Sequence, residues 1–204
     1  LDIRAIEFGG GDCFVITQKD VTPGMQAKLG LADQSDRHPL TGAPDRNLVD
    51  LFLASEIQRC RRLNTSISLA LFQVEQYKEV RNTFGVLAAD ECLLAIYRSI
   101  TQLARRPSDF VGQVDQQLFA VVLGNTEAST AKKIACTIQG QTAALVVHDF
   151  DGHDTTPMCL SCSIISVAAD DTVLSKTLYD QVERHLVTVR AQGAGRLIMN
   201  DYSA

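Results

Sequence analysis

Apolar and polar residues alternate in blocks that predict a chain of strands and helices. Asp2–Phe8 and Cys13–Lys19 are rich in β-formers and flank Gly9-Gly10-Gly11-Asp12, which predicts a hairpin. Pro23-Gly24 breaks that pattern, and Met25 to Arg37 reads as a short linking helix. Leu48, Leu51, Phe52, Ile57 and Cys60 share roughly one face of a predicted helix over Asn47–Leu63. Ser66–Val74 is an unbroken apolar, β-branched run, as expected of a buried strand. Helices are predicted over Gln76–Asn82, Val86–Ala104, Ser129–Gln139 and Leu174–Ala191. Strands are predicted over Phe110–Val114, Leu118–Leu123, Ala143–Phe150, Met158–Ala168 and Arg196–Met199. Strands interleaved with helices, one hairpin included, predict an α/β (α+β) layered fold around a mixed sheet.

Composition narrows the function without naming it. The 204 residues suit one sizeable domain plus an appendage, or two small domains. A net charge of −5 argues against broad nucleic-acid binding, which needs a basic face. No apolar run reaches the ~20 residues of a membrane helix. Leu1 is followed by neither a charged region nor an apolar one of the secretory kind. The expectation is a cytoplasmic protein, this chain being a piece of a longer one, with six reduced cysteines. Cys159 and Cys162 form a C-x-x-C within a predicted strand, where positions three apart face opposite ways, so no metal is expected there. The loop His148–Asp154 is dense in ligand-type side chains but lacks a calcium-loop pattern, and reads as a solvated turn. His185 falls among the apolar residues of the last helix and reads as structural.

A family pattern emerges from several weak motifs in a fixed order. They are Leu40-Thr-Gly-Ala-Pro-Asp-Arg46, Glu56-Ile-Gln-Arg59-Cys-Arg-Arg62, Phe72-Gln-Val-Glu-Gln-Tyr-Lys78, Asn82-Thr-Phe-Gly85 with Asp90, Ser163-Ile164, and Arg190-Ala-Gln-Gly193. From His38 to Asn200 this order resembles a GGDEF domain of the diguanylate cyclase family, with L-T-G-L-P-N-R, E-x-x-R-A-x-R, L-D-I-D-x-F-K, N-D-x-F-G-H-x-x-G-D, S-I-G and K-x-x-G-R. The resemblance implies a five-stranded, mainly antiparallel mixed sheet flanked by helices, in a GGDEF domain spanning residues 38–204. Ahead of it, Cys13–Thr22 resembles the last strand of a PAS sensor domain, with Asp20-Val21-Thr22 where that family often ends in D-I-T. Residues 1–24 are therefore expected to be a PAS remnant and residues 25–37 a linker helix.

The name-giving motif departs from the family. Its five positions read Asp115-Gln116-Gln117-Leu118-Phe119, and only the aromatic is kept. Glycines there would let the backbone approach a nucleotide, whereas Asp115 and Gln116 carry side chains and a charge. The family joins two GTP molecules into cyclic di-GMP, using divalent ions held by carboxylates. The first carboxylate position is Gln73, the motif's acidic pair is Gln117 and Leu118, and Glu75 is not expected to take over from Gln73. The guanine-contacting positions hold Arg81, where the family has asparagine, and Asp90, which is kept. Arg190 stands for the lysine of the closing basic segment, and Ala194 for its arginine. On this reading the domain is expected not to be an enzyme and to need no cofactor, Mg²⁺ entering only with GTP binding that persists.

One binding motif survives. Arg106-Pro-Ser-Asp109 lies just ahead of Asp115, at the place of the family's R-x-x-D inhibitory site for cyclic di-GMP. Arginine can fork onto a guanine edge or a phosphate, and a carboxylate can accept from guanine N1–H and N2–H. Arg59 of a neighbouring protomer stands where the family often completes that site. The expected partners are cyclic di-GMP, a second copy of the chain, and PAS and EAL-type domains of the same polypeptide. Two alternatives remain open: a dimer-based signal relay that binds no nucleotide, and a weak cyclase or GTP binder.

Overall fold

The computed structural model describes residues 2–8, 11–17, 36–148 and 155–202. The chain divides into a unit of residues 1–32 and a larger one of residues 33–204. In the first, β1 (Asp2–Phe8) pairs antiparallel with β2 (Gly11–Thr17), so the second strand begins two residues earlier than expected. Asp20-Val21-Thr22 and most of the expected linker helix lie outside the described residues. Arg37, expected to end that helix, instead forms a β-bridge with Pro44.

The larger unit runs α1 (Arg46–Leu63), β3 (Ser66–Val74), α2 (Tyr77–Leu103), β4 (Asp109–Asp115), β5 (Leu118–Gly124), α3 (Ala128–Ala143), β6 (Val146–His148), β7 (Thr155–Pro157), β8 (Leu160–Ala168), α4 (Ser175–Ala191) and β9 (Leu197–Asn200). Five of these strands form one sheet in the order β4-β5-β3-β8-β9, with only β8 and β9 parallel. The sheet is thus mixed and mainly antiparallel, as the sequence implied.

The continuous apolar run of β3 reflects burial on both faces. Ala70, Phe72 and Val74 point into a core shared with α2 and α3, while Ile67, Leu69 and Leu71 point into one shared with α1 and α4. Asp45 starts α1 by accepting a hydrogen bond from the Leu48 backbone N–H at 3.0 Å, and Asn64 ends it in the left-handed conformation. Gly85, at φ 88° and ψ 173°, kinks α2 where the sequence predicted a break between two helices. Helix α3 runs on to Ala143, past its expected end at Gln139, which moves the start of the following strand from Ala143 to Val146. Ala135, Ile138 and Thr142 continue one buried helical stripe, and the Thr142 hydroxyl bonds back to the Ile138 carbonyl at 2.9 Å.

The segment leading into α1 is held along the edge strand β4. The Gln113 backbone N–H donates to the Pro44 carbonyl at 2.8 Å. A Cβ at Gly112 would overlap Val49 Cγ2 and press on that same carbonyl oxygen at 2.8 Å. Gly112→Ala is expected to lower stability by about 1–3 kcal/mol, read as a lower midpoint in urea. An unchanged midpoint would mean that this edge is not packed as described.

Candidate nucleotide site

The C-terminal end of β3 and the β4–β5 turn build one end of the site. Gln73 lies directly across from Leu118 on β5 and from Ser161 on β8. The two positions expected to hold metal carboxylates are therefore cross-strand neighbours. The Gln73 side-chain amide donates to the Val74 carbonyl at 3.2 Å and reaches the Gln117 side-chain oxygen at 3.5 Å. Leu118 packs against the core shared by α1 and α4. The turn is pinned from three sides. Asp115 Oδ1 accepts from the Gln116 backbone N–H at 2.7 Å, Gln113 Nε2 donates to the Gln116 carbonyl at 2.9 Å, and the Val74 N–H donates to the Gln117 carbonyl at 2.8 Å.

Glu75 lies just past the strand end and is committed elsewhere. Its carboxylate takes a two-pronged contact from Arg190, Nε to Oε1 at 3.0 Å and Nη2 to Oε2 at 3.4 Å. Ala194 sits beyond that arginine in an exposed loop shaped by Gly193 and Gly195, both at positive φ. Cys159 Sγ lies 3.0 Å from the Gln76 side-chain oxygen, while Cys162 is fully buried on β8. Residues 149–154 of the acidic loop lie outside the described residues.

Beside the turn, a cavity of about 270 Å³ gathers His38, Leu40, Tyr77, Arg81, Asp90 and Gln116. The structure thus brings Arg81 and Asp90 together, on the two sides of the Gly85 kink. The Tyr77 hydroxyl donates to Asp90 Oδ1 at 3.2 Å and accepts from Gln116 Nε2 at 3.4 Å. Burial, and then the bond to Asp90, push the Tyr77 phenol up from its ordinary value. Burial pulls His38 down, opposed by Asp90 and then Asp115, and its Nδ1 is buried without a hydrogen-bond partner among the described residues. Sequence reasoning missed Tyr77 and His38 as site residues. The signal for Tyr77 was present, since it stands at the phenylalanine of L-D-I-D-x-F-K.

Arg106 and Asp109 form a separate corner between α2 and β4. Asp109 Oδ2 accepts from the Arg106 backbone N–H at 3.0 Å, and the Asp109 N–H donates to the Arg106 carbonyl at 2.8 Å. Asp109 Oδ1 is buried and has no hydrogen-bond partner among the described residues. Burial pushes the Asp109 carboxyl up, opposed by the Arg106 amide and guanidinium and by the Ser108 hydroxyl, while Glu56 adds to the rise. The Arg106 side chain is exposed. Arg59 on α1 is held by its own chain, with Nε 2.9 Å from both Glu56 oxygens and Nη2 2.6 Å from Oε1. Glu56 is the electrostatic link between Arg59 and Asp109.

Residues 35–196 match the family described as diguanylate cyclase, GGDEF domain. The chain belongs to the GGDEF domain family. It is 28% identical over 116 residues to the probable diguanylate cyclase DgcC of Escherichia coli, which covers 57% of this chain and 31% of that protein. It is 25% identical over 159 residues to the diguanylate cyclase DgcP of Pseudomonas aeruginosa, covering 78% of this chain and 23% of the relative. The chain therefore spans less than a third of the length of these curated relatives. Among solved structures, the diguanylate cyclase SiaD of Pseudomonas aeruginosa, in complex with its activator SiaC, superposes with a TM-score of 0.74 at 22% identity, over 86% of this chain and 65% of SiaD. The GGDEF domain of DgcB from Caulobacter crescentus, in complex with c-di-GMP, also gives 0.74, at 15% identity, over 82% of this chain and 96% of that one. At these identities the structures establish the shared fold.

The relatives correct one expectation. A domain read as a non-enzyme from Gln73, Asp115, Gln116, Gln117 and Leu118 has relatives named diguanylate cyclases. Residue types at a few positions do not by themselves decide activity. Mg²⁺ keeps several waters and leans on substrate phosphates, and an amide oxygen such as that of Gln73 is still a hard donor. No helix among the described residues is long and apolar enough to cross a membrane.

Proposed function

We propose that this GGDEF domain belongs to a cyclic di-GMP signalling protein and binds cyclic di-GMP at the Arg106–Asp109 corner. The observation that carries this reading is the buried, unpartnered Oδ1 of Asp109 beside the exposed side chain of Arg106. A buried carboxylate oxygen without a donor is costly, and a ligand N–H that reaches it as the corner opens relieves that cost. Guanine N1–H and N2–H are such donors, and the guanidinium can take a phosphate or the guanine face. Arg59 of a second protomer would complete the site only by leaving Glu56, or by using donors that Glu56 does not engage.

A second reading, conversion of GTP, is favoured by the Arg81–Asp90 cavity beside the turn and by the names of the relatives. The two readings are compatible, the corner acting as a control site for the turn. Residues 1–24 fit as the end of a PAS-like sensor domain, with an EAL-type output domain beyond Ala204 and homodimers as the working unit in the cytoplasm.

The test is a calorimetric titration of cyclic di-GMP into the wild type and Asp109→Asn. Saturable heat is expected from the wild type and loss of about 10-fold or more in affinity from the variant. A wild type that gives no heat at high micromolar ligand contradicts the proposal. The sign of the pH dependence is fixed as well. The ligand needs ionised Asp109, so affinity falls as pH drops through the raised carboxyl pKa, and binding below that point releases a proton. The same raised pKa makes ionised Asp109 a liability to the free fold, its contribution to stability being lost as pH rises through that value. Asp109→Asn is therefore expected to lose binding at pH 7 without a lower melting temperature.

A further inference from the structure

We propose that the cavity beside the turn selects 6-oxopurine nucleotides as a class, admitting hypoxanthine nearly as well as guanine, because Tyr77 occupies one oxygen of Asp90. This rests on the reading that the cavity takes the base of a nucleoside triphosphate. Its size and its two lining groups of opposite charge, Arg81 and Asp90, suit one heterocycle that presents both acceptors and donors.

The geometry decides which edge atoms are read. Arg81 offers N–H donors, which match the O6 and N7 acceptors that guanine and hypoxanthine share. Adenine presents an amino donor at the sixth position and so meets the guanidinium with the wrong polarity. Asp90 offers acceptors in the same cavity. The Gln116 amide donates to the Tyr77 oxygen, which leaves the phenol proton directed at Asp90 Oδ1. That oxygen is already hydrogen-bonded, so Oδ2 is the open acceptor. One open oxygen pairs with N1–H, which both 6-oxopurines carry. The N2 amino group, which only guanine carries, then meets an oxygen whose capacity is partly taken. Tyr77 is 2% exposed and rigidly packed, so its hydroxyl does not swing away freely. Tyr77 is thus a positioning residue for Asp90, and the hydroxyl is the atom that matters.

The experiment titrates GTP, ITP and ATP without divalent ion, so that no turnover intervenes, into the wild type, Tyr77→Phe and Asp90→Asn. The wild type is expected to bind GTP and ITP within about 3-fold of each other and ATP at least about 10-fold more weakly. Tyr77→Phe frees Oδ1 and is expected to favour GTP over ITP by about 3- to 10-fold more than the wild type does. Thermal melting checks that the phenylalanine variant is folded, and a purely structural role for Tyr77 would move both nucleotides together. Asp90-dependent GTP binding with an unchanged GTP:ITP ratio in Tyr77→Phe overturns this inference alone. So does a wild type that already prefers GTP to ITP by more than about 10-fold. No GTP binding to the wild type, or binding indifferent to Asp90→Asn, overturns the cavity reading and the inference with it.

Discussion

Gln73→Asp combined with Leu118→Glu is expected to raise GTP turnover by roughly 10²-fold in the presence of Mg²⁺. The two residues face each other across β3 and β5. Directly opposed side chains in an antiparallel pair have Cβ atoms about 4.5–5.5 Å apart, close enough for two carboxylates to share one ion. At present that row offers one amide oxygen and an alkyl chain. A divalent ion there would hold mostly water and phosphate, and would stabilise developing charge weakly. Each introduced carboxylate would add a formal negative charge able to hold a divalent ion at this strand end. The same pair repels itself when the ion is absent, and Leu118 gives up packing against the α1–α4 core. The double variant should therefore melt lower than the wild type in EDTA, and Mg²⁺ should restore more stability to it than to the wild type. Product measured by chromatography gives the rate. Turnover unchanged in a folded, Mg²⁺-responsive variant would show that this strand end is not where the metal acts.

Arg106→Ala is expected to weaken cyclic di-GMP binding by about 10- to 100-fold, the cost of one or two charge-assisted hydrogen bonds. The arginine is exposed; its backbone closes the turn with Asp109 through two hydrogen bonds, and its guanidinium adds an attraction to that carboxylate across solvent. Truncating the side chain removes the ligand contact and leaves that turn intact. The melting temperature should stay within about 1–2 °C, since surface substitutions of this kind move stability by under about 0.5 kcal/mol. Arg59→Ala is the less clean probe. It strips the partner from Glu56, a carboxylate only 5% exposed. An abandoned buried charge costs about 3–5 kcal/mol, enough to confound any binding result. Equal losses of affinity in Arg106→Ala and in a distant surface arginine variant such as Arg184→Ala would point to general charge rather than to this corner.

The sheet and the register of its motifs were legible in the sequence for local reasons. Ser66–Val74 is bounded as read, because an apolar β-branched run with a left-handed Asn64 before it has few other conformations. The α2 break was legible because Gly85 alone in its stretch accepts φ of 88° without strain. The continuation of α3 to Ala143 was not, since Gly140 directly after Gln139 reads as a helix end until Thr142 is seen with its hydroxyl bonded to the Ile138 carbonyl. The Tyr77–Asp90–Gln116 chain and the Glu75–Arg190 pair join segments 13 to 115 positions apart, and no local pattern predicts such partners. The expectation about catalysis failed for a different reason. It inferred function from the types of residue at Gln73 and at Asp115 to Leu118, while the cavity around the retained Asp90 depends on the whole fold.

The most direct test of the cyclic di-GMP reading is backbone amide mapping by heteronuclear NMR during a titration of cyclic di-GMP into the wild-type chain. The account predicts saturable shifts centred on the amides of Arg106 and Asp109 and on those of Ser108 and Glu56 beside them, with smaller ones at the β4–β5 turn. Saturable shifts confined to Arg81, Asp90 and Gln116, or no shifts at all, would contradict it.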